Sequence, residues 1–175
     1  MVKIAVIADI HGNAFALKAV LSEIDALEDV DSIYCLGDMI GIGPDTNEVL
    51  DLLFTRNDLK MITGNHDEAI LALIKGEEHP LSHAHAKEHH QWIADHLAHK
   101  FVAKLEQLPR MIHQTIEGKS ILFTHYHIKQ EKLTKHISKD PFSPIVEPSL
   151  ENLSSLFGAH QEDLICFGHH HPRHF

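Results

Sequence analysis

Val2-Lys3-Ile4-Ala5-Val6-Ile7-Ala8-Asp9-Ile10-His11 decides how this chain is to be read. Val2 to Ala8 is a short apolar run of strand length, and it stops abruptly on an acid and a histidine. Asn13 to Leu27 follows, with Phe15, Leu17, Val20, Leu21, Ile24 and Leu27 at helical spacing. The unit then recurs. Ser32 to Leu36 reads as a second strand ending on Gly37-Asp38-Met39-Ile40-Gly41, and Asn47 to Phe54 as a helix carrying Val49, Leu50, Leu53 and Phe54. Leu59 to Thr63 is a third strand, and it runs into Gly64-Asn65-His66-Asp67. A β-α-β-α-β order predicts a mostly parallel sheet with helices outside it.

The pattern changes after Asp67. A helix continues to Ile74, and Gly76 to Pro80 breaks it. From about His83 to Leu105 the sequence predicts one long helix with Ala86, Ile93, Leu97, Phe101 and Leu105 on one face. Met111 to Ile116 alternates, Glu117-Gly118 turns, and Ser120 to Thr124 returns, the pattern of a β-hairpin. Lys129 to Pro148 is polar and proline-bearing and reads as a surface loop. A short helix from Pro148 to Leu156 precedes a last apolar run, Leu164-Ile165-Cys166-Phe167.

At 175 residues the chain suffices for one domain, 1–175, with its own core. Its 43% hydrophobic and 23% charged residues are those of an ordinary globular protein. A formal charge of −10 argues against a nucleic-acid surface, which needs clustered Lys and Arg; Lys132, Lys135 and His136 make only a small basic knot. An acidic chain can still bind an anionic substrate where metal cations supply the local positive charge. Cys35 and Cys166 lie inside apolar runs and read as buried reduced thiols, not as a disulfide or a zinc pair. Met1 to Ala8 lacks a signal-peptide cleavage site, and no stretch has the length of a membrane span. A cytoplasmic location, with no membrane partner, is the expectation.

Five clusters of histidines and carboxylates remain: Asp9-Ile10-His11, Gly37-Asp38-Met39-Ile40-Gly41, Gly64-Asn65-His66-Asp67, His125 after Ile121-Leu122-Phe123-Thr124, and Gly168-His169-His170-His171. Each follows an apolar run, and open α/β sheets place their chemistry beyond the carboxyl ends of the strands. A single such motif is weak; five in order are not. Together they resemble the calcineurin-like metallophosphoesterases, marked by D-x-H, G-D-x-x-G, G-N-H-[DE], a lone His after a strand, and G-H-x-H. Gly41-Ile42-Gly43-Pro44-Asp45-Thr46-Asn47-Glu48-Val49 is similar to a segment of small bacterial phosphodiesterase-type members, departing from it at Ile42 and Thr46.

The resemblance implies a four-layer α-β-β-α sandwich and two metal ions. It implies Asp38 as the bridge, Asp9, His11 and His171 on one metal, and Asn65, His125 and His169 on the other. Two cations about 3.5–4 Å apart can activate a bridging water and clamp phosphoryl oxygens. Nitrogen and oxygen ligands without thiolate suit Mn, Fe, Zn or Co, with Mn or Fe favoured. His66 matches the family's non-ligand catalytic histidine, and Asp67 is expected to hydrogen-bond its ring. Gly37, Gly64 and Gly168 are expected at positive φ, which glycine alone adopts without penalty. His125-Tyr126-His127 stands where the family has His-Gly. His125 is read as the ligand, with His127, two residues on along the same strand face, as its rival. His170 reads as a neighbour of the ligands or a solvent-facing residue.

Residues 67–109 form a helical insertion relative to the barest family members, and are read either as a cap over the site or as an ordinary outer-layer element. His85, His89, Trp92, His96 and His99 fall at helical spacing within it; a solvated face is the first reading, and a cap lining or an extra metal site the second. The chain stops at Pro172-Arg173-His174-Phe175, where relatives continue with further strands. The functional expectation is a metal-dependent phosphoester hydrolase acting on a small phosphorylated substrate, a phosphodiester or a nucleotide such as a dinucleoside polyphosphate. Phosphomonoesterase or protein phosphatase activity is the alternative, and a non-catalytic scaffold of the same fold is the rival of another class.

Overall fold

The computed structural model describes residues 1–27 and 29–171. The tail Pro172-Arg173-His174-Phe175, to which the expectation about further strands attaches, lies outside the described residues.

Three strands, β1 (Ile4–Ile7), β2 (Ser32–Cys35) and β3 (Leu59–Met61), form a parallel sheet in the order β1-β2-β3. Helices α1 (Ala14–Ala26) and α2 (Thr46–Phe54) make the two crossovers. Asn13, where the helical spacing begins, is the N-cap of α1, its side chain accepting from the Ala16 amide at 2.9 Å. A second sheet holds the expected hairpin, β4 (Met111–Ile116) and β5 (Lys119–Thr124), with β6 (Leu164–Phe167) parallel to β5. Glu117 and Gly118 both have positive φ, +49° and +77°, the backbone of the two-residue hairpin turn whose twist matches the strands.

Side-chain alternation builds the layers. Ile33 and Cys35 of β2 face α1 and α2 in one core, while Tyr34 and Leu36 face the second sheet in another, against Ile121 and Phe123 of β5. The rings of Tyr34 and Phe123 stack 3.8 Å apart across this inter-sheet core. On the far side, α6 (Leu150–Phe157) lays Phe157 against Tyr126 and Phe167. Helix, sheet, sheet, helix is the expected four-layer order.

Beyond β3, α3 (Asn65–Ile74), α4 (Lys87–His96) and α5 (Val102–Glu106) contribute Ile70, Leu71, Ile93 and Leu105 to the first core, joined by Phe101 just before α5. The single helix expected from His83 to Leu105 is therefore interrupted. A 3₁₀ turn (Leu81–Ala86) precedes α4, and Leu97 and Ala98 are extended before a second 3₁₀ turn (His99–Phe101). The break is held from outside the segment. Asn47 of α2 donates to the His96 carbonyl at 2.9 Å and accepts from the Ala98 amide at 2.8 Å, pairing backbone groups that a continuous helix would have used. The 129–148 loop also has more structure than expected. It contains 3₁₀ turns at Gln130–Lys132 and Ile137–Lys139, an isolated bridge between Ile128 and Phe142, and a buried Ile137. Among the described residues, no helix is long and apolar enough to cross a membrane.

Candidate metal centre

The carboxyl ends of β1, β2 and β3 meet those of β5 and β6 at one end of the sandwich. The Asp9 amide donates to the Gly37 carbonyl at 3.1 Å, the His11 amide to the Asp38 carbonyl at 2.9 Å, and the Gly168 amide to the His125 carbonyl at 2.9 Å. These bonds stitch the loops together before any side chain is considered. The loops are bent hard. Of the six non-glycine residues with positive φ among the described residues, four are Asp9 (+54°), His11 (+50°), Asp38 (+48°) and His169 (+64°). Left-handed backbone at ordinary residues costs about 1–2 kcal/mol each and concentrates at functional sites.

Of the glycines, only Gly37 has the expected positive φ, +87°, among the three singled out. Gly64 and Gly168 are glycine for a different reason. A Cβ on Gly64 would strike the Asp38 carboxylate, and one on Gly168 would lie 2.5 Å from Asp9 Oδ2. The chain passes so close to these carboxylates that no side chain fits.

Among the described residues, three groups of potential ligand atoms result: Asp9, His11 and His171; His11, Asp38 and His66; and Asp38, His125 and His169. Asp9 Oδ1 lies 3.1 Å from His171 Nε2 and 3.8 Å from His11 Nε2, while Asp38 Oδ2 lies 3.9 Å from His11 Nε2 and 3.2 Å from His125 Nε2. Asp38 stands between the two sides. Asn65 joins the His125 side, its Oδ1 2.8 Å from His125 Nε2.

His125 carries the test of whether these residues suit metal. Its Nδ1 lies 2.8 Å from the Leu36 carbonyl, which can only accept, so Nδ1 holds the proton. In the neutral form, the one that can bind a metal, Nε2 presents a lone pair to Asn65 Oδ1, Asp38 Oδ2 and, at 3.1 Å, His169 Nδ1. The Asn65 and Asp38 oxygens repel that lone pair unless a metal ion or a proton lies among them. Burial disfavours a charged His125, yet the Asp38 carboxylate outweighs it and pushes the ring up to about 9. The same ring, with His66 and His11, holds buried Asp38 well below the usual carboxylate range despite its desolvation. The site attracts a positive charge, and its nitrogen and oxygen donors fit divalent or trivalent metal.

Asn65 is itself oriented. Its Nδ2 donates to His83 Nε2 at 2.7 Å, His83 Nδ1 is 2.7 Å from Ser82 Oγ, and Ser82 Oγ donates to Asp140 Oδ1 at 2.5 Å. This chain turns the amide oxygen of Asn65 toward His125.

Two expectations change here. Asp67 does not reach the His66 ring. Its Oδ2 accepts from the Gly64 amide at 2.9 Å and its Oδ1 from the Ile40 amide at 3.2 Å, tying two site loops together in full burial. Both residues lie on the first turn of α3, where consecutive side chains diverge. Burial, with Asp38 nearby, pushes Asp67 up to about 7. His127 does not face the site either. β5 ends at Thr124, so strand alternation lapses beyond it, and His127 Nδ1 lies 2.8 Å from Ser143 Oγ with its ring against Phe157.

His66 edges onto His11, ring centroids 5.1 Å apart, and its backbone amide donates to Asp38 Oδ1 at 2.9 Å. Its ring nitrogen Nδ1 meets His90, not a carboxylate. His79, His83 and His90 are the residues that sequence reasoning passed over. The signal was present for His90, because Ala86, His90, Ile93 and Leu97 form one helical stripe. The histidines that were singled out, His85, His89, His96 and His99, are exposed. His170 lines a cavity of about 380 Å³ with His11, Asp38, His66 and His171, its mouth flanked by exposed Ile42 and Ile145.

The calcineurin-like phosphoesterase superfamily domain matches residues 2–175. An uncharacterized protein of Methanocaldococcus jannaschii is 31% identical over 168 residues, 96% of this chain and 62% of that protein. The symmetrical bis(5'-nucleosyl)-tetraphosphatase of Pectobacterium atrosepticum is 32% identical over 71 residues, 40% of this chain and 25% of that enzyme. A solved metallophosphoesterase from Sphaerobacter thermophilus superposes with a TM-score of 0.66 at 26% identity, covering 96% of this chain and 60% of its own. The chain thus spans about three fifths of the first relative and a quarter of the second. With histidine and carboxylate clusters at the strand ends of a four-layer sandwich and a family match over residues 2–175, the chain belongs to the calcineurin-like phosphoesterase superfamily.

Proposed function

We propose that this chain hydrolyses phosphoester bonds at a centre of two metal ions, with a phosphodiester or a nucleotide polyphosphate as substrate. The observation that carries the reading is Asp38, a buried carboxylate flanked by His11 on one side and His125 on the other. Asp38 would be shared, with Asp9, His11 and His171 holding one metal and Asn65, His125 and His169 the other. When bound, such a pair supplies an activated water and charge stabilisation for the phosphoryl group.

The chain's own groups would do the rest. His66 stands beside the shared carboxylate without belonging to either ligand set, the position of a group that protonates the leaving oxygen or stabilises charge on the phosphoryl group. Asp67 serves the scaffold. The turn 81–86 and the first half of α4 would act as the cap, since they bring His83 and His90 against Asn65 and His66.

A cavity of about 550 Å³ adjoins Asn65 and His169, walled by Ile137, Phe142 and Ile145 with Lys129 at its side. An apolar wall with Lys129 and Lys132 beside it suits an aromatic organic arm bearing further negative charge, which favours a nucleotide over a small monoester. The likeness to the tetraphosphatase supports the same choice. The test is a hydrolysis panel of aryl monoesters, aryl diesters, cyclic nucleotides and dinucleoside polyphosphates with Mn, Fe, Zn or Co supplied. Diester or dinucleotide turnover at least tenfold above monoester is expected. Absence of metal-dependent turnover on every member of the panel would reject the reading.

A further inference from the structure

The ring of His66 is held by a chain of histidines that the ligand sets do not use. His66 Nδ1 lies 2.8 Å from His90 Nε2, and His90 Nδ1 lies 2.8 Å from His79 Nε2. The His66 and His90 rings meet edge to face, 84° apart in plane. His90 has no solvent exposure and His79 only 7%. Below the ring, a Cβ on Gly41 would come within 2.6 Å of His66 Cβ and 2.8 Å of His66 Nδ1. Among the described residues, no carboxylate is hydrogen-bonded to the His66 ring.

A neutral imidazole has one donor and one acceptor nitrogen. Burial, reinforced by His66 and His79, pushes His90 down to about 3, so it stays neutral. Two head-to-tail bonds between such rings can run in only one direction at a time. The proton position on His79 therefore fixes that on His90, and His90 fixes which nitrogen of His66 carries hydrogen.

We propose that His90 is the positioning residue of His66, and that the His79–His90 pair sets the plane and tautomer of the His66 ring in place of a carboxylate. The proposal rests on the reading of His66 as the group that acts on the leaving oxygen. An imidazole suits this location physically. A carboxylate in place of His90 would add further negative charge near Asp38 and compete for the metals, whereas a neutral ring orients His66 without either effect. His90 can do this because it lies on the inward stripe of α4, one turn before core residue Ile93.

The test uses the full chain loaded with metal, comparing His90→Ala, His90→Gln, His79→Ala and His66→Ala with wild type. Each is assayed on a nitrophenyl ester, which leaves readily, and on an alkyl ester, which needs help to leave. His90→Ala should lower kcat on the alkyl ester by about 10–100-fold, a usual loss for a residue that orients a catalytic group, with metal content unchanged. The nitrophenyl ester should lose much less. His90→Gln, whose amide can still reach His66, should recover most of the loss, and His79→Ala should fall between. Independently, ¹⁵N-histidine spectra of the metal-free protein should show a single His66 tautomer in wild type and a mixture in His90→Ala. An equal loss on both esters, or an unchanged His66 tautomer, overturns the proposal. If His66→Ala itself spares the alkyl ester, the role of His66 fails, and the spectra still decide the positioning.

Discussion

Replacing Gly41 with alanine should cripple turnover while leaving the metals in place. The new Cβ would lie 2.6 Å from His66 Cβ, and all three of its nearest neighbours belong to His66. Carbon atoms ordinarily approach no closer than about 3.5–4.0 Å, so the His66 side chain must retreat by about 1 Å. A misplacement of that size at a reacting group costs on the order of 10²-fold in rate. Backbone strain adds to it, since Gly41 has φ +125°, where an alanine is penalised by about 1–3 kcal/mol. At about 2–4 °C per kcal/mol for a chain of this size, the thermal midpoint should fall by roughly 2–12 °C. The assay combines kcat on an aryl diester, metal content and the thermal midpoint, with His66→Ala as the reference. Turnover equal to wild type would refute the reasoning, and so would metal loss in Gly41→Ala, because no proposed ligand is among the atoms displaced.

Three further outcomes are expected. His125→Ala should empty or weaken one metal position, whereas His127→Ala, bonded to Ser143 away from the site, should keep both; metal content of the two variants side by side checks this, and the reverse pattern would move the ligand role to His127. Asn47→Ala should cost about 1–3 kcal/mol by removing both hydrogen bonds at the helix break, each with a net contribution of about 0.5–1.5 kcal/mol. Chemical denaturation measures that cost, and kcat should barely change. With metal chelated, stability should fall as pH rises from about 6.5 to about 9, because folded His125 keeps its proton up to about 9 while the unfolded ring releases it near 6.5. A raised histidine stabilises below that window and loses its effect through it; thermal midpoints of wild type and His125→Ala across the range decide the matter, and a flat wild-type profile contradicts it.

The layers and their order were legible because each strand announces itself. Ile33 and Cys35 alternate with Tyr34 and Leu36, and both sets are apolar because a helix layer lies on one face and a sheet on the other. The hairpin was legible from Glu117-Gly118. The helix break at Leu97 and Ala98 was not, since Leu97 continues the apolar stripe and the cause, Asn47, lies fifty residues upstream. The site was legible at the level of loops: the motif residues Asp9, His11, Asp38, Asn65, His125, His169 and His171 come together at one end of the sandwich. The groups around them were harder to read. Adjacency in sequence suggested Asp67 as the partner of His66, but a helix sends neighbours i and i+1 to different faces. The true partner, His90, sits where an apolar residue is expected, and its polar ring is tolerated there only because His66 and His79 satisfy both nitrogens. The exposed histidines of this segment outnumber the buried ones, but the buried ones hold the contacts to the site.

The most direct test of the two-metal centre is anomalous diffraction from crystals grown with saturating Mn, paired with metal stoichiometry in solution. The account predicts two metal peaks per chain with Asp38 coordinating both, Asp9, His11 and His171 on one, and Asn65, His125 and His169 on the other. A single peak, or Asp38 outside either coordination shell, would contradict it.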